Sequence, residues 1–524
     1  MTVVVSMPVS ETFAIPRYAD TIVAGGGTAG AVVAGLLAAG SVESILVLEA
    51  GPDYGPLTGN GWPAALKDAS QLADSHDWAY DSGACYADRT VAFQRARVIG
   101  GCSAHNGCAA IWGSRLDYDA WAAAGNTGWA TDDLLPLFQS ANRRLRVRQP
   151  GPGEITPFQQ ACLNAAPAAD IPIVADLNDL DEDIGMAPSP VNIHQGVRYN
   201  TAFGYLDPVR DRPNLTILGN MPVDRLLLDG DHVTGVVAVG PDGPVTIEAG
   251  RVVVAGGTYG SPAILLRSGI GDPEELRQAG VTPTHALPGV GRNLHDHPSI
   301  FLSFAGSPEL QRQMRAFGAR HWAPEEQTIG KARSSHCAEA FDLHLYPVNS
   351  PDLDNPGNRS WAIFAACMTP RARGTLRLAG ADPATAPVID HQYLCDVDGH
   401  DRRVLVDAIK LARAMAAAPS LANLIGAELA PGPEVRTDDA IADWIDRTVQ
   451  HYFHPVGTCK MGPASDAEAV VDLTGRIHGL ANAYVADCSI MPVVPRANTN
   501  IPAVVVGERI GRWLARSSHA FNVG

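Results

Sequence analysis

The sequence predicts an α/β protein with a Rossmann-like dinucleotide-binding domain and a discontinuous second domain built on an antiparallel sheet with helices. Three observations lead to this prediction. An N-terminal unit, Thr21–Gly51, has the pattern of a strand, a glycine turn, a helix and a second strand. A second glycine turn follows an apolar run at Gly256–Gly271, so the chain is expected to re-enter the first domain there. Between residues 300 and 450, short strand-like runs precede an Ala-rich helical stretch, which is typical of a separate sheet with helices.

The N-terminal unit has the features of a dinucleotide-binding site. Its glycines Gly25, Gly27 and Gly30 follow the first strand in a GxGxxG pattern. In this pattern the first glycine makes a tight turn, the second lets the backbone approach a pyrophosphate, and the third lets helix and strand pack closely. The helix start offers free N–H groups and a positive dipole end to phosphate. Glu49 ends the second strand about 20 residues further on, where a carboxylate can hold a ribose hydroxyl of either NAD or FAD.

Length and charge narrow the range of functions. A chain of 524 residues is too long for one simple core, so two or more domains are expected. The net charge of −17 argues against nucleic acid and anionic membranes as partners. No apolar run reaches about 18 residues, and the N-terminus lacks the basic and apolar regions of a signal peptide. We therefore expect no membrane insertion, and we interpret the first residues as a short arm before the first strand.

The cysteines predict a reduced, cytoplasmic protein without a metal site. The nine cysteines are scattered, odd in number and free of CxxC or Cys/His clustering. His451 and His454 form an HxxH pair that lacks the glutamate and the third ligand of a zinc protease. His295, Asp296 and His297 are consecutive in a turn-rich segment, and we interpret them as polar loop residues rather than ligands. No metal is therefore expected.

Two internal segments carry further patterns. The stretch RARVIGGCSAHNGCAAIW contains Gly100 and Gly101 followed by small residues, which places backbone N–H groups close to a bulky polar group. His105 and Asn106 lie inside this stretch, and the local pattern alone favours a buried structural histidine at position 105. From Asn214 onward, alternating apolar residues separated by DG and GPDG turns predict a β-meander that leads into the second glycine turn.

The C-terminal segment has the densest pattern. It contains HYFHPVGTCKMG, then GRIHGLANAYVADCSIMP, then RANTNIPAVVVGERIGRWLA. Tyr484–Ala486 is predicted as a short strand. Asn500 is predicted to cap a helix that has Pro502 in its first turn and runs through Arg512.

These motifs resemble those of the glucose–methanol–choline (GMC) flavoprotein oxidoreductases over nearly the whole chain. The motifs that carry the resemblance are GGGTAG with LEAG near the N-terminus, GTYGSPAILLRSGIG at residues 257–271, and HPVGTCKMG followed by VADCSIMP and NTNIP. The resemblance implies FAD as the cofactor. The FAD-binding domain is expected to comprise residues 1–150, 191–300 and 451–524, and the substrate-binding domain residues 151–190 and 301–450.

The resemblance implies a set of cofactor contacts by position. The three glycines would face the pyrophosphate, Glu49 the adenosine ribose, the backbone of Val223 the adenine, and Asp487 the phosphate–ribityl arm. Asn500 and Pro502 would open a helix whose positive end points at the isoalloxazine ring and stabilises its reduced, anionic form. The full set expected at the cofactor is Gly25, Gly27, Thr28, Ala29, Gly30, Glu49, Ala50, Val98, Gly100, Gly101, Ser103, His105, Asn106, Val223, Asp487, Asn498, Asn500 and Pro502.

The resemblance also implies a catalytic pair. His454 matches the histidine of the HPxGT motif, and Asn498 matches the position of the family's second active-site residue. Oxidising an alcohol requires removal of the hydroxyl proton while hydride leaves the carbon for flavin N5. A histidine, with an ordinary pKa of about 6.5, can take that proton near neutral pH. The asparagine amide can hydrogen-bond the alkoxide.

Within the family, ARVIGGCSAHNGCAAIW is most similar to the corresponding run of choline oxidase. There the histidine carries FAD covalently through the flavin 8α-methyl group. His105 matches that position, so the resemblance makes it the candidate for covalent attachment. Such a bond withdraws electrons from the ring and favours hydride acceptance.

The substrate pocket is expected to be aromatic. The candidates for its lining are Tyr452, Phe453, Tyr346, Trp322 and Trp361. Residues 306–335 depart most from choline oxidase and are expected to form a loop over the active site that sets specificity. Glu325 and Glu326 lie there, but neither aligns clearly with the family's substrate-binding glutamate. A small primary or aromatic alcohol is therefore expected in preference to choline.

Three functions remain open from the sequence. The leading hypothesis is an alcohol oxidase that forms an aldehyde and passes electrons to O₂, giving H₂O₂. The alternative is a choline dehydrogenase-like enzyme that uses a quinone or carrier protein as acceptor. The third is a non-redox lyase on the same fold. A homo-oligomer is compatible with each of these hypotheses.

Overall fold

A computed structural model describes residues 15–82, 89–351 and 359–521 of the chain. The expected N-terminal arm falls mainly on residues 1–14, outside the described residues. The strands are β1 (Tyr18–Ala24), β2 (Ile45–Leu48), β3 (Tyr80–Asp81), β4 (Ala92–Phe93), β5 (Gly185–Pro188), β6 (Ile193–His194), β7 (Val197–Arg198), β8 (Leu215–Leu218), β9 (Val223–Asp229), β10 (His232–Gly240), β11 (Gly243–Val254), β12 (Ile270–Gly271), β13 (His285–Ala286), β14 (Ser299–Gly306), β15 (Thr328–Ala332), β16 (Leu343–Pro351), β17 (Arg359–Cys367), β18 (Thr375–Arg377), β19 (Val388–Asp390), β20 (Ile425–Ala430) and β21 (Ala483–Val485).

The helices surround these strands. They are α1 (Thr28–Gly40), α2 (Ala64–Lys67), α3 (Arg115–Ala123), α4 (Thr131–Arg144), α5 (Pro157–Ala165), α6 (Gly257–Arg267), α7 (Pro273–Gln278), α8 (Pro308–Gly318), α9 (His400–Ala417), α10 (Pro419–Ala422), α11 (Asp438–Thr448) and α12 (Asn500–Phe521). Within the described part of the chain, none of these helices is both long and apolar enough to span a membrane.

The first sheet contains the predicted dinucleotide-binding unit. Its strand order is β8-β2-β1-β11-β10-β9, and β21 pairs with β11 as well. The strands β8, β2, β1 and β21 run parallel to the C-terminal half of β11. Helix α1 connects β1 to β2, as the sequence predicts. The Rossmann-like fold is therefore confirmed, and its sheet is assembled from chain segments more than 200 residues apart.

The predicted β-meander is correct for β9, β10 and β11, which pair antiparallel in that order. It is wrong for β8, which pairs parallel with β2 instead. A run of four mainly apolar residues has the same pattern in a meander and in a parallel sheet, so the sequence does not distinguish the two pairings. Strand β11 belongs to both arrangements, because its first half pairs with β10 and its second half with β1.

Helices α1 and α12 pack together beneath the first sheet. Helix α1 is buried along most of its length, which explains its uniformly apolar Ala/Val/Leu composition. Gly507 of α12 allows this close approach, because a Cβ there would lie 2.8 Å from the carbonyl oxygen of Ala29. Helix α12 begins at Asn500 as predicted and continues past Arg512 to Phe521.

The second sheet is antiparallel, with the order β20-β14-β17-β16-β15-β5. Helix α9 packs against β14, β16 and β17, where the sequence predicts an Ala-rich helix. Side chains alternate along β17: Trp361 and Ile363 join the main core, whereas Phe364 and Ala366 join a separate apolar cluster. The predicted second domain, an antiparallel sheet with helices, is confirmed.

The segment 306–335 is not the loop that the sequence analysis expects. It forms helix α8 and strand β15, joined by residues 319–327. Ser307 caps α8 by accepting a hydrogen bond from the N–H of Leu310, and Pro308 occupies the first helical position. The helix is polar and mostly exposed, so its sequence resembles that of a loop.

Candidate active site

The first glycine turn has the conformation that the sequence predicts. Gly25 has a φ of 112°, and a Cβ there would lie 2.4 Å from the Ala255 carbonyl oxygen. A Cβ at Gly30 would lie 1.9 Å from the Gly25 carbonyl oxygen, so both positions require glycine. No side chain caps the start of α1 at Gly27, which leaves that helix end available to phosphate.

The turn at Gly100 and Gly101 packs against the first glycine turn. The N–H of Gly100 donates to the Gly26 carbonyl at 2.8 Å. A Cβ at Gly101 would lie 2.7 Å from the Cα of Gly27, so only glycine brings the two backbones this close. The Thr28 hydroxyl accepts from the Ser103 N–H at 3.1 Å. This arrangement brings the predicted cofactor residues of both turns into one cradle.

Glu49 stabilises the same cradle at the carboxyl end of β2. Its carboxylate accepts from the N–H of Gly26 at 2.9 Å and from the N–H of Gly51 at 2.8 Å. Burial raises its pKa, although these two hydrogen bonds oppose the rise. Each carboxylate oxygen retains a second lone pair that can accept from a ribose hydroxyl. The Glu49 carbonyl accepts from the Met221 N–H, which places Val223 beside this edge.

Ala50 and Val98 lie where these segments meet. The Ala50 carbonyl accepts from Nε of Arg97 at 3.1 Å, and the adjacent Val98 is fully buried. Asn106 uses its side-chain oxygen to accept from the Cys108 N–H at 3.0 Å. These three predicted cofactor residues therefore stabilise the backbone around the cradle.

Asp487 ties the C-terminal segment to the second glycine-rich helix start. Its Oδ2 accepts from the Gly257 N–H at 2.9 Å and from the Ser261 hydroxyl at 2.5 Å. Its Oδ1 accepts from the Ser489 N–H at 2.8 Å. Burial raises the pKa of this carboxyl, and the hydrogen bonds counteract it. Asp487 thus fixes where β21 ends relative to α6.

The start of α12 presents unpartnered polar atoms. The Asn500 amide group donates to Asn192 Oδ1 at 3.0 Å and to the Ala109 carbonyl at 3.3 Å. Its side chain therefore points to neighbouring segments and does not make the predicted cap. The side-chain oxygens of Asn498 and Asn500 are buried and have no partner among the described residues.

These features fit FAD. A glycine cradle with an uncapped helix end suits a pyrophosphate, and Glu49 suits a ribose. Buried polar atoms without a partner are rare in folded proteins, so Asn498 Oδ1 and Asn500 Oδ1 indicate a polar ligand at the start of α12. Pro502 lies in the first turn of that helix, whose positive end favours a negatively charged ligand.

His105 is buried beside the cradle. Its Nε2 lies 2.6 Å from the Ser75 carbonyl oxygen. A carbonyl can only accept, so Nε2 carries the proton and Nδ1 keeps a free lone pair. Burial lowers the pKa of the ring, which keeps it neutral near pH 7.

His454 lies in a network that the sequence analysis did not foresee. Its Nδ1 is 3.0 Å from Nδ1 of His297, and its N–H donates to Asp296 Oδ1 at 3.0 Å. Asp296 Oδ1 also accepts from the His297 N–H at 2.7 Å, and Oδ2 accepts from the Tyr393 hydroxyl at 3.0 Å. Asp296 and His297 lie in a loop, as expected, but both are buried and contact His454.

The histidine pair determines which nitrogen of His454 is basic. Burial lowers the pKa of His297 to about 3 and that of His454 well below its ordinary value, so both rings are neutral. One Nδ1 must therefore donate and the other accept. The Pro495 carbonyl raises the pKa of His297, which favours a proton on Nε2 of His297, although no described acceptor lies there within hydrogen-bond geometry. If Nε2 of His297 carries its proton, His454 donates from Nδ1 and keeps a lone pair on Nε2.

An aromatic cluster adjoins His454. The Tyr452 ring lies 4.3 Å from the His454 ring and 4.6 Å from the Phe364 ring, and Phe364 lies 6.2 Å from Tyr346. Asn498 lies beside the Tyr452 hydroxyl and lowers its pKa, although burial raises it by more. This cluster joins two predicted pocket residues, Tyr452 and Tyr346, to the catalytic pair.

The other three predicted pocket residues lie elsewhere. Phe453 has a φ of 64°, which turns its side chain outward onto His451. Trp361 packs on Phe158 at 5.0 Å, on the opposite face of β17 from Phe364. Trp322 is partly exposed and lies over Gly196. These three side chains therefore do not join the aromatic cluster beside His454. Trp361 lies on the other face of β17, and Phe453 has a left-handed backbone conformation.

Glu326 is a pocket residue that the sequence analysis could not place. It is buried directly before β15, and burial raises its pKa to about 8. A hydrogen bond with Tyr346 lowers the pKa by less, and Oε2 has no partner among the described residues. Nothing in the sequence indicates that this charged residue, two positions before a strand, is buried.

Two buried groups of side chains have the composition of metal ligands. Asp296, His297 and His454 form one, and Cys367, His400 and Asp401 form the other. In the first group, Nδ1 of both histidines and both oxygens of Asp296 are already engaged in hydrogen bonds. In the second, Asp401 accepts from the N–H groups of Arg371 and Ala372, so its carboxylate is engaged as well.

Comparison with known proteins gives consistent matches. Two models of the GMC oxidoreductase family match residues 19–299 and 370–507. Choline oxidase of Arthrobacter globiformis is 32% identical, over 96% of this chain and 95% of its own. An oxygen-dependent choline dehydrogenase of Paraburkholderia phytofirmans is 33% identical, over 94% and 93%. The crystal structure of pyridoxine 4-oxidase from Mesorbium loti is 28% identical with a TM-score of 0.85, over 95% of this chain and 99% of that chain.

Proposed function

This chain belongs to the GMC oxidoreductase family, and from that membership and the site geometry we propose the reaction that it catalyses. It is an FAD-dependent oxidoreductase that acts on alcohols. The proposed reaction converts a primary alcohol, small or aromatic, and O₂ into the aldehyde and H₂O₂. The observation that carries this proposal is the buried His454–His297 pair beside Asn498 and the aromatic cluster.

The residues divide the chemistry among them. Bound FAD supplies the acceptor for the hydride that leaves the alcohol carbon. Nε2 of His454 takes the hydroxyl proton, since His297 engages its Nδ1. The Asn498 amide is placed to hydrogen-bond the substrate oxygen as its negative charge develops. Asp296 holds the backbone of both histidines, so the base stays aligned with the pocket.

The aromatic cluster supports the choice of an aromatic alcohol. Tyr452, Phe364 and Tyr346 offer ring faces and edges next to His454. Pyridoxine 4-oxidase, one of the similar structures, is named for an alcohol on an aromatic ring. A small or aromatic alcohol therefore remains our proposal in preference to choline.

A panel of alcohols tests the proposal. Benzyl alcohol, small primary alcohols and choline are mixed anaerobically with the purified protein while the visible flavin band is followed. We expect bleaching by an aromatic primary alcohol, then reoxidation and H₂O₂ on addition of O₂. Absence of bleaching by every alcohol would contradict the proposal and favour the lyase hypothesis.

A dehydrogenase is the second candidate function. Several relatives are named choline dehydrogenases, and the same names state a dependence on oxygen. The same panel distinguishes the oxidase from the dehydrogenase by the reoxidation of the reduced flavin. Slow reoxidation by O₂ together with fast reoxidation by a quinone would identify the dehydrogenase.

We also propose that His105 carries FAD covalently. The free lone pair on its Nδ1 and its lowered pKa make it a neutral nucleophile near pH 7. Acid precipitation tests this: the wild-type pellet should remain yellow, whereas His105→Ala should release the colour into the supernatant. A colourless wild-type pellet would rule out the covalent bond.

A further inference from the structure

One buried carboxyl group beside the aromatic cluster has no role in the chemistry described so far. Glu326 is 8% exposed, and its Oε1 lies against Gly107, where a Cβ would come within 2.5 Å of that oxygen. The other oxygen, Oε2, is buried and has no hydrogen-bond partner among the described residues. A buried polar atom without a partner costs free energy unless a ligand supplies the partner.

None of the described residues that shift the pKa of Glu326 carries a positive charge. Burial and the neighbouring Glu325 raise the pKa of Glu326, whereas the hydrogen bond with the Tyr346 hydroxyl lowers it. Carboxyl groups buried without a cation are destabilising, so such a group is expected where a ligand brings the complementary charge or proton.

Glu326 is linked to the predicted reacting groups through the residues that it contacts. Gly107 follows His105 by two residues, which places one side of the carboxyl against the cofactor loop. On the other side Tyr346 connects through Phe364 to Tyr452, whose ring adjoins His454. The charge of Glu326 raises the pKa of Tyr452, so the two side chains are electrostatically coupled.

We propose that Glu326 pairs with a basic nitrogen of the substrate, so that the alcohol is aromatic and carries a pyridine or amine nitrogen. This inference rests on the proposed function and names its substrate class. In the pair, one N–H···O bond joins the nitrogen to Oε2, and the proton comes from either the carboxyl or the protonated nitrogen. A quaternary ammonium can attract a carboxylate by charge, but it has no N–H and no lone pair, so it would leave Oε2 without a hydrogen-bond partner. The walls of Tyr346 and Phe364 suit a flat ring.

Two alcohols of nearly equal shape test the proposal. The rate of anaerobic flavin reduction and the apparent Kd are measured for 3-pyridylmethanol and benzyl alcohol, which differ by one ring nitrogen. A charge-assisted hydrogen bond predicts a preference of about tenfold or more for 3-pyridylmethanol in the ratio of rate to Kd. The preference should fall to within about threefold in Glu326→Gln.

Glu325→Gln is the matched control. It removes the same charge from the neighbouring, less buried residue, so the preference should persist. A wild-type protein without the preference, or one whose preference survives Glu326→Gln, would overturn the proposal. If no alcohol bleaches the flavin, the proposed function fails, and the inference is tested by ligand binding instead.

Binding of unreactive ligands needs neither turnover nor a variant. 3-Methylpyridine and toluene lack the hydroxyl group, and their binding is followed by the change in the flavin spectrum of the wild-type holoenzyme. We expect 3-methylpyridine to bind at least about tenfold more tightly. Equal binding of the two ligands would overturn the proposal, even if Glu326→Gln failed to fold.

Discussion

The protonation of His454 determines when the proposed reaction can start. The base must be neutral to accept the hydroxyl proton, and burial lowers the pKa of His454 well below the ordinary value of about 6.5. A lowered pKa keeps the base neutral to lower pH, so the rate of anaerobic flavin reduction should stay flat from pH 8 to below pH 6.5. A rate that falls by half at or above about pH 6.5 would contradict this protonation.

His297 gives a second prediction at the scale of single residues. Its Nδ1 lies 3.0 Å from Nδ1 of His454 and sets the tautomer of the base. His297→Leu removes this contact and should slow flavin reduction by about tenfold to a hundredfold, with a smaller change in apparent Kd. His297→Asn keeps a polar acceptor on the side chain and should restore part of the rate.

The comparison of the two variants separates positioning from packing. A structural role alone would make both substitutions equally harmful, and it would show as lower bound FAD and a lower Tm. Equal rates of flavin reduction in His297→Leu and the wild type would contradict the positioning role. Tm and the flavin spectrum, measured for each variant, are the controls.

Single residues were predictable where a motif names them. His454 and Asn498 stand at motif positions, and the structure places both beside Tyr452. His297 and Glu326 belong to no pattern of spacing, since a buried polar residue is recognised only from what surrounds it. Phe453 shows the converse, because it adjoins His454 in sequence but its left-handed backbone turns it away.

At the scale of elements, the first glycine turn gives a prediction about cofactor binding. A Cβ at Gly30 would lie 1.9 Å from the Gly25 carbonyl oxygen, so Gly30→Ala must displace the turn. We expect Gly30→Ala to lower the ratio of bound FAD to protein and the Tm. Gly318→Ala is the control, since a Cβ there meets no atom within 4 Å and alanine favours helix by about 0.5–1 kcal/mol. Full FAD content in Gly30→Ala would contradict the assigned role of the turn.

Elements were predictable to the extent that their residues repeat a period or carry a signal at their ends. Helix α9 and the strand–turn–helix unit of β1 and α1 follow their patterns closely. Strand β8 was misplaced because its pairing depends on β2, more than 160 residues earlier in the chain. Helix α8 was missed although Leu310, Met314 and Phe317 follow a helical spacing, because the residues between them are mainly polar or charged.

At the scale of the molecule, the site depends on segments that are distant in sequence. The cradle comes from residues near 25 and 100, the proposed catalytic pair from residues 454 and 498, and the support of His454 from residues 296 and 297. The sequence alone indicates that two glycine turns belong to one domain, but it does not show that Asp487 ties β21 to α6. Such long-range contacts are decided by packing and could not be read from local patterns.

We propose that this assembly oxidises an alcohol with His454 as the base. The most direct measurement is the rate of anaerobic flavin reduction by benzyl alcohol in the wild type and in His454→Ala, each loaded with FAD. Loss of a general base predicts a decrease of about 10²–10⁴-fold in His454→Ala, with the flavin spectrum unchanged before mixing. Equal rates of flavin bleaching in the two proteins would contradict the role of His454 as the base.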